Sequence, residues 1–238
     1  MDNAIYAALT RQSGLMKEMR VVANNIANAN TTGFRREGVI FAEHLAPVDG
    51  RGDTLSMAHA RGRLIDLNQG VLNQTNGSFD LAIEGDGFFM VQTPQGDRLT
   101  RAGAFMPSGE GELMNADGHR LLDEGQAPIL VPAGATGVSV AGDGTVSANG
   151  VPFARIGVFT AAEDAQLTHD GGTLFATDTD PEPVENPQIR QGFLEESNVD
   201  AVFEISRMIE VQRAYELGQS FLDREDQRIR GAITAMTR

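Results

Sequence analysis

The chain of 238 residues has no cysteine and no tryptophan, and only two tyrosines, Tyr6 and Tyr215. Without cysteine there are no disulfides, no thiolate nucleophile and no Cys-ligated metal site. The redox compartment is left open, because a Cys-free chain suits cytosol and periplasm alike. With so few large aromatics, stacking platforms for nucleic-acid bases are scarce. A formal charge of −14 further opposes phosphate binding, so nucleic acid is not an expected partner. No window approaches the roughly 20 consecutive apolar residues of a membrane span, and direct membrane insertion is not expected. The opening Met1-Asp2-Asn3-Ala4-Ile5 lacks a basic n-region and an apolar run, and does not read as a cleavable signal peptide.

The charge is unevenly placed. Residues 37–194 hold 22 acidic and 8 basic side chains, whereas 1–36 hold 2 and 5, and 195–238 hold 9 and 6. An acidic, well-solvated middle therefore separates two nearly balanced ends, and the 41% hydrophobic content suffices for a packed core.

Apolar periodicity defines those ends. Ile5, Leu9, Met16, Met19, Ala23 and Ile26 recur at helical spacing, and the pattern stops at Asn28-Ala29-Asn30-Thr31-Thr32-Gly33. Asn and Gly adopt the left-handed conformation that ends helices. At the other end Met208, Tyr215, Leu222, Ile229 and Met236 stand seven residues apart, with Ile205, Val211 and Ile233 beside them. A sustained seven-residue repeat predicts a coiled-coil seam over roughly residues 198–237, with Ser197 or Asn198 as the N-cap. At 1.5 Å per residue the two helices would reach about 40 and 60 Å, the second too long for a small core to cover.

Between the helices the texture is β. Phe79-Asp80-Leu81-Ala82-Ile83 and Phe88-Phe89-Met90-Val91 flank the turn Glu84-Gly85-Asp86-Gly87. Further strands are expected at 129–131, 138–140, 145–147 and 155–159, punctuated by Asp117-Gly118, Gly142-Asp143-Gly144 and Asn149-Gly150. Residues 35–75 show little periodicity and read as an extended connector. Thr177 to Pro187, rich in proline and acid, reads as a linker or edge loop. The expected fold class is α+β, an antiparallel β domain flanked by N- and C-terminal helices.

Three stretches carry a resemblance. Ala23-Asn24-Asn25-Ile26-Ala27-Asn28 followed by Thr31-Thr32-Gly33-Phe34 packs several poor helix formers into one turn, which costs stability unless their carboxamides find partners. The stretch is similar to the N-terminal signature of flagellar axial proteins, the rod, hook and hook-associated subunits. Phe79 to Phe89, with Leu99-Thr100-Arg101-Ala102-Gly103-Ala104-Phe105 and Gly111-Glu112-Leu113, resembles that family's β-domain motif. Gln191 to Asp200, running into Met208-Ile209-Glu210 and Arg213-Ala214-Tyr215-Glu216, resembles its C-terminal signature. Ala104 departs from the asparagine common there, with a possible change in one turn. Length and the opening residues are most like proximal-rod members, with distal-rod or hook-type subunits as the alternative.

The resemblance implies a coiled-coil-like inner domain from residues 1–34 and 197–238, a connector over 35–75, and an outer β domain with its linker over 76–196. It implies a structural rod subunit in the flagellar basal body, crossing the periplasm, exported by the type III apparatus, transmitting torque and needing no cofactor. Its partners would be other copies, other rod subunits and neighbouring basal-body components. The implied assembly interface comprises Ile5, Leu9, Met16, Met19, Asn24, Asn25, Ile26, Asn28, Thr31, Gly33, Phe34, Leu194, Ser197, Asn198, Val199, Ile205, Met208, Ile209, Arg213, Tyr215, Leu222 and Ile229.

Signals for chemistry are weak beside this. Glu84/Asp86 and Glu110/Glu112 have the composition of hydrolase carboxylate pairs, yet each sits beside glycines in a tight turn, where solvated acids are the rule. His44, His59, His119 and His169 are scattered, and the 27 glycines form no phosphate-cradling motif. No enzyme, metal or cofactor is expected. A secreted β-domain hydrolase with helical oligomerisation segments is the weaker rival.

Overall fold

A computed structural model describes residues 2–47, 54–162 and 166–236. They divide into two compact units, a helical unit of Met1–Ala27, Glu37–Asp66 and Val199–Arg238, and a β unit of Asn28–Arg36 and Leu67–Asn198.

The helical unit holds α1 (Asp2–Ala27), α2 (Ala201–Met236) and an antiparallel hairpin of β1 (Glu37–Pro47) and β2 (Thr54–Ile65). The hairpin lies inside the stretch expected as an unpaired connector. Its register shifts between Ile40 and Phe41, and such a bulge interrupts the alternation by which a strand is recognised. The helices run antiparallel: the Gln12 side-chain amide donates to the Tyr215 carbonyl at 3.2 Å, and Arg207 meets Glu18 at 2.5 Å. On α2 the less exposed positions include Glu204, Met208, Val211, Tyr215, Gly218, Leu222, Glu225 and Ile229, spaced alternately four and three, with the small residues Ala201, Ala214 and Ser220 beside them. The cap differs from expectation. Asp200, rather than Ser197 or Asn198, receives the Val202 and Phe203 amides at 2.9 and 3.0 Å, because its carboxylate sits one residue before the helix.

The β unit includes β3 (Leu72–Gln74), β4 (Leu81–Ile83), β5 (Phe88–Thr93) and β6 (Gly96–Thr100). A nine-stranded antiparallel sheet runs from Thr168–His169 through Leu174–Ala176, β6, β5, Arg120–Leu121 and Leu113–Met114 to Met106–Pro107; Val158–Thr160 also pairs with β5. Its core joins Leu81, Ile83, Phe89, Val91, Leu113, Leu121, Ile156 and Ile189 with their neighbours. Every residue of β4 is buried, as befits a short strand enclosed on both faces. Two expected strands differ. The run 129–131 yields a single bridge, Glu112 to Leu130, since Pro128 and Pro132 withhold ladder donors. The run 155–159 breaks at Gly157, where a Cβ would strike the Phe159 ring and the Asp123 carbonyl. Within the expected linker, Glu182–Pro183 pairs with Val158–Thr160.

Candidate assembly surface and its buried anchor

In the β unit the first and last family-like stretches meet at one carboxylate. Gly33 ends its turn at φ 73°, and a Cβ there would overlap the Ala102 backbone, so only glycine fits. That close approach lets the Gly33 amide donate to the Glu195 carbonyl at 2.8 Å. Phe34 is buried, with its ring centroid 5.3 Å from that of His169, which in turn lies 4.6 Å from Phe175. The next residue, Arg35, is wholly buried and contacts Glu195 Oε1 at 2.5 Å. Arg101, from the middle stretch, donates to Glu195 Oε2 at 3.1 Å and to the Gly85 carbonyl at 2.6 Å, with its guanidinium over the Phe88 ring. The Gly70 amide donates to Glu195 Oε1 at 2.8 Å. Burial pulls the Arg101 guanidinium below its ordinary value; Glu195 works against this and Arg35 adds to it.

Asn198 adds a second tie. Its Oδ1 accepts from the Arg36 amide at 2.7 Å, and its Nδ2 donates to the Asn68 carbonyl at 2.9 Å. In the helical unit Asn25 behaves as a backbone mimic, accepting from the Glu37 amide at 3.0 Å and donating to the Glu37 carbonyl at 2.8 Å. Four asparagines and glycines in these signatures thus serve contacts within the chain.

The remaining residues of the expected interface separate by exposure. Leu9, Asn24, Ile205, Ile209 and Arg213 are exposed, and Met16, Met19, Ile26, Leu194, Ser197 and Val199 are partly so. Thr31 donates to the Asn28 carboxamide at 3.2 Å. Met208, Tyr215, Leu222 and Ile229 are half-buried on the α2 face that carries Val211. The side chain of Ile5, like those of His44 and His59, falls outside the described residues.

The sequence reading missed Arg35, Glu195 and Arg101 as a group, although each adjoins a residue it singled out. Exposed apolar side chains concentrate in the helical unit: among the described residues it holds eleven of the sixteen large ones, including Val202, Ile209, Leu217 and Phe221. Of the carboxylates that invited a hydrolase reading, Glu84 is paired with Arg190 at 2.6 Å and Glu112 with Arg120 at 2.8 Å. Ala104 forms an isolated bridge with Asp80. Among the described residues no cluster has the makings of a metal site, and no helix is long and apolar enough to cross a membrane.

Comparison with known proteins follows the same three stretches. The family model "Flagella basal body rod protein" matches residues 5–35, "Flagellar hook protein FlgE/F/G D1 domain" matches 82–148, and "Flagellar basal body rod FlgEFG protein C-terminal" matches 190–235. The chain is 40% identical to the flagellar basal-body rod protein FlgF of Caulobacter vibrioides, over 98% of its own length and 97% of the relative. It is 37% identical to FlgF of Mesorhizobium japonicum, covering 91% and 90%, and 28% identical to FlgG of Bacillus subtilis, covering 95% and 96%. Matches in the same order along the chain, together with whole-length likeness, establish that it belongs to the flagellar basal-body rod protein family, as a member of the FlgF type.

Proposed function

We propose that this chain is a structural subunit of the proximal rod, joining neighbouring rod subunits through its terminal helices to form a helical tube that carries torque. The α1–α2 pair acts as a short coiled coil, supported by the four-three spacing of the less exposed α2 positions. The observation that carries the reading is the helical unit's lack of self-sufficiency. Among the described residues its buried set mixes Val21, Val22 and Val211 with Glu18, Asn25, Glu37 and Glu204, while Val202, Ile205, Ile209 and Leu217 face water. Each such side chain, once covered, contributes about 1.5–3 kcal/mol. Assembly therefore supplies the apolar burial that the isolated helices lack, and the free ends order as they join the rod.

On this reading the ends travel through the type III export channel in an unfolded or loosely folded form, and the acidic β unit keeps free subunits soluble. No catalytic step is involved. Removing residues 209–238 is the test. The truncated chain should retain a cooperatively folded β unit by amide exchange, yet fail to restore rods or motility. A truncated chain that still builds rods refutes the proposal.

A further inference from the structure

Asparagine followed by glycine occurs twice in the chain, at Asn76-Gly77 and Asn149-Gly150, and both pairs stand in the β unit. This dipeptide carries its own reactive partners. The glycine amide nitrogen, with no Cβ beside it, can reach the asparagine Cγ. Both asparagines are exposed at positive φ, 60° at Asn76 and 51° at Asn149. Their surroundings differ.

Gly77 is held. Its amide donates to the Thr75 hydroxyl at 3.3 Å, and a Cβ at Gly77 would strike the Asp80 carboxylate. That carboxylate opposes negative charge forming on the adjacent nitrogen. The Asn76 backbone amide donates to the Gly192 carbonyl at 3.0 Å, which restrains the segment further. Asn149 and Gly150 instead form the tip of a two-residue hairpin turn that closes Ala148 on Val151, with Gly150 at φ 80°. Among the described residues the Gly150 amide meets no acceptor, and a Cβ there would meet nothing within 4 Å. The two electrophiles are alike: Asn76 Oδ1 accepts from the Gln74 side-chain amide at 2.9 Å, and Asn149 Oδ1 accepts from the Thr136 hydroxyl at 2.7 Å. Such a donor draws electron density from Cγ and stabilises an oxyanion formed there. The nucleophile is what one site withholds and the other offers.

We propose that Asn149 is a site of spontaneous deamidation, assisted by Thr136, whereas Asn76 is protected. The Gly150 nitrogen gives its proton to a solvent base and bonds to Cγ; the Cγ–Nδ2 bond breaks and the side-chain nitrogen leaves as ammonia. Water then opens the cyclic imide at Cγ, giving aspartate, or at the main-chain carbonyl, giving isoaspartate. No oxidant or reductant is consumed. Either product places a carboxylate where an amide stood, and isoaspartate lengthens the main chain of a turn built for two residues.

The test follows the folded full-length protein in mildly alkaline buffer, with the amide-to-acid mass gain at each site read by peptide mapping. Asn149 should convert roughly tenfold faster than Asn76, the rate equivalent of one hydrogen bond. In urea, where both dipeptides are released, the two rates should converge. Thr75→Val, which frees the Gly77 amide, should raise the Asn76 rate severalfold. Thr136→Val should slow Asn149 severalfold without touching Asn76, and Thr136→Ser should keep the original rate. Equal rates in the folded chain, a difference that persists in urea, or an Asn149 rate that Thr136→Val leaves unmoved or raises overturns the proposal.

Discussion

The two units stabilise themselves by different means. The β unit encloses a continuous core around Phe89, Leu81 and Leu121 and gathers the buried charges of Arg35 and Arg101 on Glu195. Among the described residues the helical unit buries few apolar side chains, and α2 outruns its partner: extending the Gln12–Tyr215 and Glu18–Arg207 rungs by equal helical steps brings Asp2 level with about Arg224. A domain closed on itself and a domain left incomplete thus share one chain. On the assembly reading proposed above, the difference separates a part that is finished at folding from a part that is finished at assembly.

The sharpest way to break this comparison is Glu195→Ala. It strands two buried guanidinium groups and should cost the β unit about 3–5 kcal/mol in urea unfolding. Replacing Arg35, Arg101 and Glu195 together by apolar residues of similar volume should cost far less. If α-helical and β signals melted together in both variants, the units would not be independent. Next, Val211→Ala removes an apolar anchor of the helical unit and should cost about 2 kcal/mol there, read by loss of helical ellipticity with amide exchange in the β unit unchanged. Asn25→Ala deprives the Glu37 amide and carbonyl of their partner and should cost about 1–3 kcal/mol, visible as faster exchange at Glu37. Asp200→Ala removes the α2 cap for about 1 kcal/mol, confined to the first turn.

The smallest effect is titrational. The Thr145 amide, and then its hydroxyl, hold the Asp143 carboxyl below the ordinary carboxylate range. A depressed folded value means that its stabilising contribution is present at neutral pH and is lost as pH falls through that value. Asp143→Asn should therefore flatten only the acid limb of the β unit's stability profile.

What the sequence disclosed follows from the range of the interactions involved. Both helices were legible because their periodicity is local, and β4 and β5 because a glycine-rich turn separates two apolar runs. The β1–β2 hairpin was not legible, since its bulge and its weak alternation hide a pairing that only the partner strand reveals. Asp200 was overshadowed by two other good caps immediately upstream. The Glu195 cluster was invisible for a different reason: Arg101 and Glu195 lie 94 residues apart, and nothing in the chain announces that they meet. The glycine at 33 was noticed as a helix stop, while its tight approach to Ala102 became evident only in three dimensions.

The bond between the Gly33 amide and the Glu195 carbonyl brings the turn segment that first enters the β unit next to the strand leaving it. Mechanically this is the neck of a loop. Tension applied to residues 28–36 can pass to 195–198 across that neck without stretching the sheet between them. Residues 67–194 return to the same neck through the bond from the Gly70 amide to Glu195 Oε1 and hang from it as a cassette, whose size and shape can change without altering how the flanking segments bear force.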